Sequence, residues 1–248
     1  MKLENYLMEK LSISLFDAKK IVSLINKYNK EHKKKKLNIK VPTYTLGEEL
    51  FNSISHGVGA ILSIAALVLM VVKAHGALEE VTVSLFGATM IILYTMSCIY
   101  HALSPRLEGK KVLRVIDHCN VFLLVLGTYI PMSLLGIGGS LGWVFFGIVT
   151  FVTILGIVFT SINVDKNSVI EVICHLINGW SCLFAIPKLL SSMGSGGVLF
   201  LILGGLMYTL GSILYGIGSK KKYMHCVFHI FCLLGTFFHF WCIFNYLI

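Results

Sequence analysis

Two histidines four residues apart, His225 and His229 in the string HCVFH, open the last apolar stretch of this 248-residue chain. On a helix, positions i and i+4 project from one face about 6 Å apart along the axis, close enough for both imidazoles to reach one metal ion. The setting gives the spacing its weight. The surrounding run, YMHCVFHIFCLLGTFFHFWCIFNYLI, is otherwise apolar, and polar side chains in hydrocarbon are costly unless something compensates them. The competing reading is a pair of histidines hydrogen-bonded to neighbouring helices, and spacing alone does not separate the two.

The chain around them is 56% hydrophobic and 13% charged, with a mean hydropathy of +0.82. A soluble core of ordinary proportions cannot absorb that composition, so the chain reads as a polytopic membrane protein. Recurrent apolar runs of about 20 residues match the ~30 Å of hydrocarbon that a helix must cross. With few prolines and no short alternating segments, an all-α bundle is expected and a barrel is not. The seven cysteines (98, 119, 174, 182, 226, 232 and 242) lie scattered in apolar runs with no C-x-x-C among them, which points to reduced thiols in helix packing.

Residues 1–49 hold 11 of the 21 Lys and Arg and 6 of the 12 acids, including the block Lys33, Lys34, Lys35, Lys36. This reads as a solvated cytoplasmic tail, with attraction to anionic lipid as an addition; nucleic acid is not the expected partner. Leu3, Leu7 and Leu11, then Ala18, Ile21, Val22 and Ile25, suggest a short and a longer amphipathic helix, the second capped at Ser14 and Asp17. Their apolar faces could dock on the bundle, lie on the bilayer or bind a protein partner. Residues 1–43 are therefore set apart from a membrane domain at 44–248. No cleavable signal peptide precedes the first apolar run, which is expected to act as an uncleaved anchor.

Seven spans are expected, at 50–73, 81–101, 114–135, 142–162, 169–190, 197–217 and 224–246. Loops on the N-terminal side carry Arg106, Lys110, Lys111 and Arg114, then Lys166, then Lys220, Lys221 and Lys222, whereas loops near 74–80, 136–141 and 191–196 contain no Lys or Arg. The positive-inside rule then puts the N-terminus in the cytoplasm and the C-terminus outside the cell membrane. Lys188, at the outer end of its span, can snorkel. The glycines of the sixth span (204, 205, 211, 216 and 218) fit close helix approach better than a ligand site.

This topology brings separated side chains to one depth. His101 ends the second span, Asp117 and His118 begin the third, and His225 and His229 begin the seventh, all near the cytoplasmic face; Ser97 sits one turn from His101 on the same side of its helix. His239 lies ten residues past His229, about 15 Å along the helix, and is expected to hydrogen-bond a neighbour instead. His32 and His75 fall outside the spans. His118 points about 100° away from Asp117 and reads as packing or support. His56 and His175 lie about two turns into spans that start inside, so depth leaves both as rival ligands.

Imidazole and carboxylate donors suit borderline ions, and without a redox motif zinc is the default. Three histidines with an open fourth position is the catalytic arrangement, in which bound water becomes a usable nucleophile near neutral pH. Asp117 could then take a proton or orient that water, and Ser97 could hydrogen-bond a substrate carbonyl. A closed metal clamp without chemistry fits the same residues.

The strings GEELFNSISHGVGA, SCIYH, IDHCNVFLLVLGTYIP and HCVFH, in that order over residues 44–246, resemble the haemolysin III branch of the progestin and adipoQ receptor superfamily. The resemblance implies seven membrane helices with a cytoplasmic N-terminus and a zinc ion on His101, His225 and His229, with Ser97 and Asp117 beside it. It takes His56 off the ligand set and gives His175 no role. It also implies three functional readings: zinc-dependent hydrolysis of a lipid amide or ester, as in ceramidases; non-enzymatic sensing or regulation of membrane lipid composition; and pore formation. A chain with this many apolar runs and no secretion signal suits the last poorly.

Overall fold

A computed structural model describes residues 3–12, 14–31, 39–218 and 221–248, with backbone only for residues 4, 7 and 28–31. The lysine block 33–36, His32 and Lys220 lie outside the described residues, as does the side chain of Leu7. All regular structure among the described residues is helical. The chain divides into two compact units, Met1–Asn38 and Ile39–Ile248.

The first unit holds α1 (Leu3–Leu11) and α2 (Leu15–Glu31). Ser14 opens α2 as expected: its Oγ accepts from the Asp17 N–H at 3.1 Å and donates to the Asp17 carboxylate at 2.6 Å. This reciprocal bonding satisfies donors that have no partner inside the helix.

The second unit begins with an extended strap, residues 39–45, ahead of α3 (Leu46–Lys73). Then come α4 (Ala77–Ala102), α5 (Glu108–Pro131), a π-helical turn Met132–Ile137, α6 (Gly139–Ile162), α7 (Ser168–Trp180), a 3-10 turn Ser181–Ala185, α8 (Ile186–Gly218) and α9 (Met224–Tyr246). Thr45 starts α3 through a full capping box. Its hydroxyl accepts from the Glu48 N–H at 3.3 Å while the Glu48 carboxylate accepts the Thr45 N–H at 2.8 Å. The other Glu48 oxygen takes the Tyr223 N–H at 2.7 Å, joining the start of α3 to the start of α9.

Among the described residues, six helical stretches are long and apolar enough to cross a membrane, where the sequence reading has seven. The difference lies in Ser168–Gly218, 51 residues that run as one helical stretch and combine the fifth and sixth expected spans. Inside it the backbone departs from helix at Gly194, at φ 66° and ψ −178°, a region that glycine enters without steric cost. The 3-10 turn is held by Tyr129 of α5, whose hydroxyl donates to the Gly179 carbonyl at 2.8 Å and accepts from the Cys182 N–H at 2.8 Å.

The strap is pinned to the bundle. Arg114 Nη1 donates to the Lys40 carbonyl at 2.7 Å and to Asp165 Oδ1 at 2.5 Å, and the Lys40 N–H donates to Asp165 Oδ2 at 3.0 Å. Partial burial pushes the Asp165 pKa up, but the Lys40 N–H and the Arg114 guanidinium outweigh it and hold the carboxyl below its ordinary value. A depressed native pKa stabilises the fold above the unfolded-state value, and that stabilisation is lost as pH falls through the native one.

Polar groups inside the bundle bond to one another: Tyr94 and Tyr208 both meet Thr236 Oγ1, at 2.5 and 2.6 Å. Small residues allow the close approaches. A Cβ on Gly204 of α8 would run into the His239 ring on α9 and come within 3.1 Å of the Gly235 carbonyl, so this contact needs a hydrogen at that position. Gly204→Ala is therefore expected to displace His239 and cost roughly 1–3 kcal/mol, read as a lower thermal midpoint in detergent. A midpoint equal to that of the unaltered protein would show that α8 and α9 can part without cost.

Candidate metal centre

Four helices meet at the site. α3 presents Glu49, Asn52 and His56, spaced i, i+3 and i+7 on one face; α4 presents Ser97 and His101; α5 contributes Lys110 and Asp117; α9 contributes His225 and His229. One ring nitrogen from each of His101, His225 and His229 lies within 4.8 Å of the other two, and all three residues are buried. His225 Nε2 and His229 Nε2 are 3.2 Å apart. A tetrahedral ion with nitrogen ligands at about 2.0–2.1 Å sets its ligand atoms about 3.3 Å apart, so these imidazoles fit a shared ion with little movement.

His101 is aimed by its other nitrogen. Nδ1 sits 2.8 Å from Glu49 Oε2, leaving Nε2 buried with no hydrogen-bond partner among the described residues. A buried ring nitrogen without a partner is costly in an apolar interior, and a cation would satisfy it. Glu49 is held in turn by Lys110, whose Nζ lies 2.5 Å from Oε1 and also donates to the Leu103 carbonyl at 2.8 Å. Lys110 is 0% exposed. A carboxylate between a cation and a histidine fixes the imidazole's tautomer and direction. On the other side of the site, the Tyr44 ring from the strap stacks on His225, centroids 4.9 Å apart and planes 16° apart.

Asp117 and Ser97 adjoin the three histidines without belonging to that ligand group. Ser97 and Asp117 are neighbours at the site. Both line a cavity of about 150 Å³ that also touches His225 and His229. From there the cavity is walled mainly by apolar side chains, among them Leu93, Val121, Val125 and Leu176, and it reaches His239. His239 lies fourteen positions after His225 on α9, about 21 Å of helix.

Four other histidines stand outside the candidate ligand group. His56 stacks flat on His229, centroids 3.8 Å apart, with both of its nitrogens buried and unpartnered among the described residues. His175 lies against Phe122, centroids 3.6 Å apart, away from the three candidate ligands. His118 pairs with Glu171 at 2.8 Å. His239 bonds the Leu201 carbonyl at 3.2 Å, across the α8–α9 interface. Neither rival ligand joins the group.

Sequence reasoning missed Glu49, Asn52, Lys110, Glu171 and Tyr44. The first two stood in view, as polar residues in register with His56 on one face of an apolar helix. Lys110 had no signal of its own, because a buried lysine and a loop lysine look alike in sequence. The Lys110–Glu49 pair is expected to carry much of the local stability: Lys110→Met strands a buried carboxylate at a cost of about 3 kcal/mol, read as a lowered thermal midpoint in detergent. Adding Glu49→Gln to that variant should recover part of the loss. A single variant that melts like the original protein would contradict this role.

Comparison with known proteins agrees with this architecture. Residues 44–240 match the family model described as Haemolysin-III related. Hemolysin-3 of Bacillus cereus is 33% identical over 210 residues, 83% of this chain and 94% of that protein. The Hemolysin-3 homolog of Bacillus subtilis strain 168 is 34% identical over 206 residues, 82% of this chain and 96% of the relative. The human monocyte to macrophage differentiation factor is 23% identical over 176 residues, 68% of this chain and 71% of the relative. This multi-span membrane chain belongs to the haemolysin III family, the bacterial branch of the progestin and adipoQ receptor superfamily.

Proposed function

We propose that this protein is a membrane-embedded zinc hydrolase that cleaves an amide or ester bond in a lipid. The observation that carries the reading is a buried three-histidine group at one end of a long, mostly apolar cavity that Asp117 and Ser97 also line. A zinc ion bound by His101, His225 and His229 would supply a Lewis acid and lower the pKa of water at the site. Asp117 accepts the proton from the attacking water and returns it to the leaving group. Ser97 turns its single O–H to the carbonyl oxygen of the substrate. The apolar walls hold an acyl chain and keep bulk water out, which strengthens every polar contact at the reacting end. Glu49 and Lys110 hold His101 in the orientation this requires.

The same reading places the protein in the plasma membrane with seven crossings, the N-terminus cytoplasmic and the C-terminus outside. A straight helix of 51 residues would be about 76 Å long, more than twice the ~30 Å of hydrocarbon, so a division at Gly194 into two spans fits the bilayer. The bonds among Lys40, Arg114 and Asp165, and between Lys110 and Glu49, gather charged residues at the metal-site end, as a cytoplasmic face rich in basic loops requires.

A second reading, regulation or sensing of membrane lipid composition without catalysis, draws support from Tyr44. The strap, residues 39–45, lays this ring directly on His225, so the stretch just ahead of α3 touches a candidate ligand. A partner would then engage residues 1–43. Pore formation draws no support from the cavity, whose walls are mainly apolar.

Protein reconstituted with zinc should release fatty acid from at least one member of a panel of amide and ester lipids. Asp117→Asn should keep its metal and lose about 10²- to 10⁴-fold in turnover. Metal-loaded protein that releases nothing across the panel would overturn the hydrolase reading. Deleting residues 1–43 separates the two proposals: the hydrolase keeps its activity on detergent-solubilised lipid, whereas a regulator loses its cellular effect with fold and metal intact.

A further inference from the structure

A second polar cluster lines the same cavity, and neither the metal centre nor the proposed hydrolysis uses it. Glu171 of α7 is only 7% exposed. Its Oε1 lies 2.8 Å from His118 Nδ1 and 3.8 Å from His175 Nε2. Its Oε2 is buried with no hydrogen-bond partner among the described residues, and the same holds for both His175 nitrogens. Phe122 fixes the His175 ring by stacking, and the His118 bond fixes the carboxylate. All three polar side chains line the cavity.

A buried carboxylate oxygen without a donor is among the costlier groups an apolar interior can contain. This one is held in place by a neighbour that occupies the other oxygen, so it does not turn away to find a partner. The Glu171 side chain lines the cavity together with Leu176, Val121 and Phe228. What satisfies it must bring a hydrogen-bond donor or a positive charge on an apolar body. His118 directly follows Asp117 on α5, so this acceptor and the Asp117 carboxyl belong to one stretch of cavity wall.

We propose that Glu171, oriented by His118 and flanked by His175, is a head-group subsite that binds the ammonium or hydroxyl group of a single-chain amphiphile lying in the cavity. The occupant is cationic or neutral with a donor. A fatty acid, whose carboxylate would meet Glu171 as a like charge, is disfavoured at this point. The assignment rests on the cavity being a lipid-chain site, as the proposed function requires, but it does not depend on any bond being cleaved. If the hydrolase reading is also right, the subsite selects lipids whose amine or alcohol half carries a donor close to the scissile bond.

The test is photo-crosslinking in nanodiscs with a dodecylamine that carries a diazirine in its chain, competed by unlabelled dodecylamine, dodecanol or dodecanoic acid, with labelled peptides mapped. Labelling should fall on cavity-wall segments such as those holding Phe122 and Leu176. Dodecylamine and dodecanol should compete at least about tenfold better than dodecanoic acid, the worth of one charge-assisted hydrogen bond. Glu171→Gln should erase most of the amine's advantage while bound metal and thermal midpoint stay unchanged. Should that variant fail to fold, the comparison of amine with acid in the unaltered protein still decides. Equal competition by the acid, or an amine preference that survives in a folded Glu171→Gln, overturns the subsite while leaving the cavity as a chain site. Labelling that misses the cavity wall overturns both, and an absence of hydrolysis bears on neither.

Discussion

An imidazole carried into hydrocarbon must be held by something, and in this protein the holding runs from Lys110 through Glu49 to His101. The chain of contacts is short, 2.5 Å and then 2.8 Å, and nearly dry. It neutralises a buried carboxylate, uses one nitrogen of His101 and leaves the other facing His225 and His229 with nothing to bond. Without it, His101 could turn to satisfy itself and the three nitrogens would have no reason to converge. Along this line from Lys110 to His101 each polar group is held by the one before it, and the unmet need is passed to His101 Nε2 at the centre.

The rest of the bundle serves this convergence. Glu48 ties α3 to α9 at the same end, so the helix bearing Glu49 and the helix bearing both candidate ligands start from one joint. Arg114 and Asp165 pin the strap that sets Tyr44 on His225. Farther along, Gly204 lets α9 lie close against α8, and Tyr129 closes the break after α7. These contacts leave between the helices a cavity that is polar where it meets Asp117, Ser97 and Glu171 and apolar along the rest of its length. That gradient is what an amphiphile would match.

Much of this was legible in the residues. His225 and His229 stand out because their background is apolar, and loop charges carried His101 and Asp117 to the same depth without any contact information. His239 was set aside by helix length alone, and it bonds the Leu201 carbonyl. The helical class followed from run lengths. The support was less readable. Glu49 lies beside Glu48, and a glutamate near a helix start reads first as a cap. Lys110 reads as a loop charge because sequence does not tell a solvated amine from a buried one. Depth alone makes His175 a rival ligand, whereas packing sets its ring against Phe122. In Ser168–Gly218 two apolar runs joined by a glycine-containing segment leave open whether the helix breaks; the backbone tightens to a 3-10 turn at Ser181–Ala185 and departs from helical geometry at Gly194.

One ion shared by three imidazoles is the central feature of the site, and X-ray absorption at the metal edge of the purified protein tests it most directly. The expected result is one zinc per chain with three nitrogen ligands at about 2.0–2.1 Å, and loss of that signature in His101→Ala while the protein stays folded. Protein that remains free of metal after zinc is supplied, or a metal whose coordination shell contains no imidazole, would contradict it.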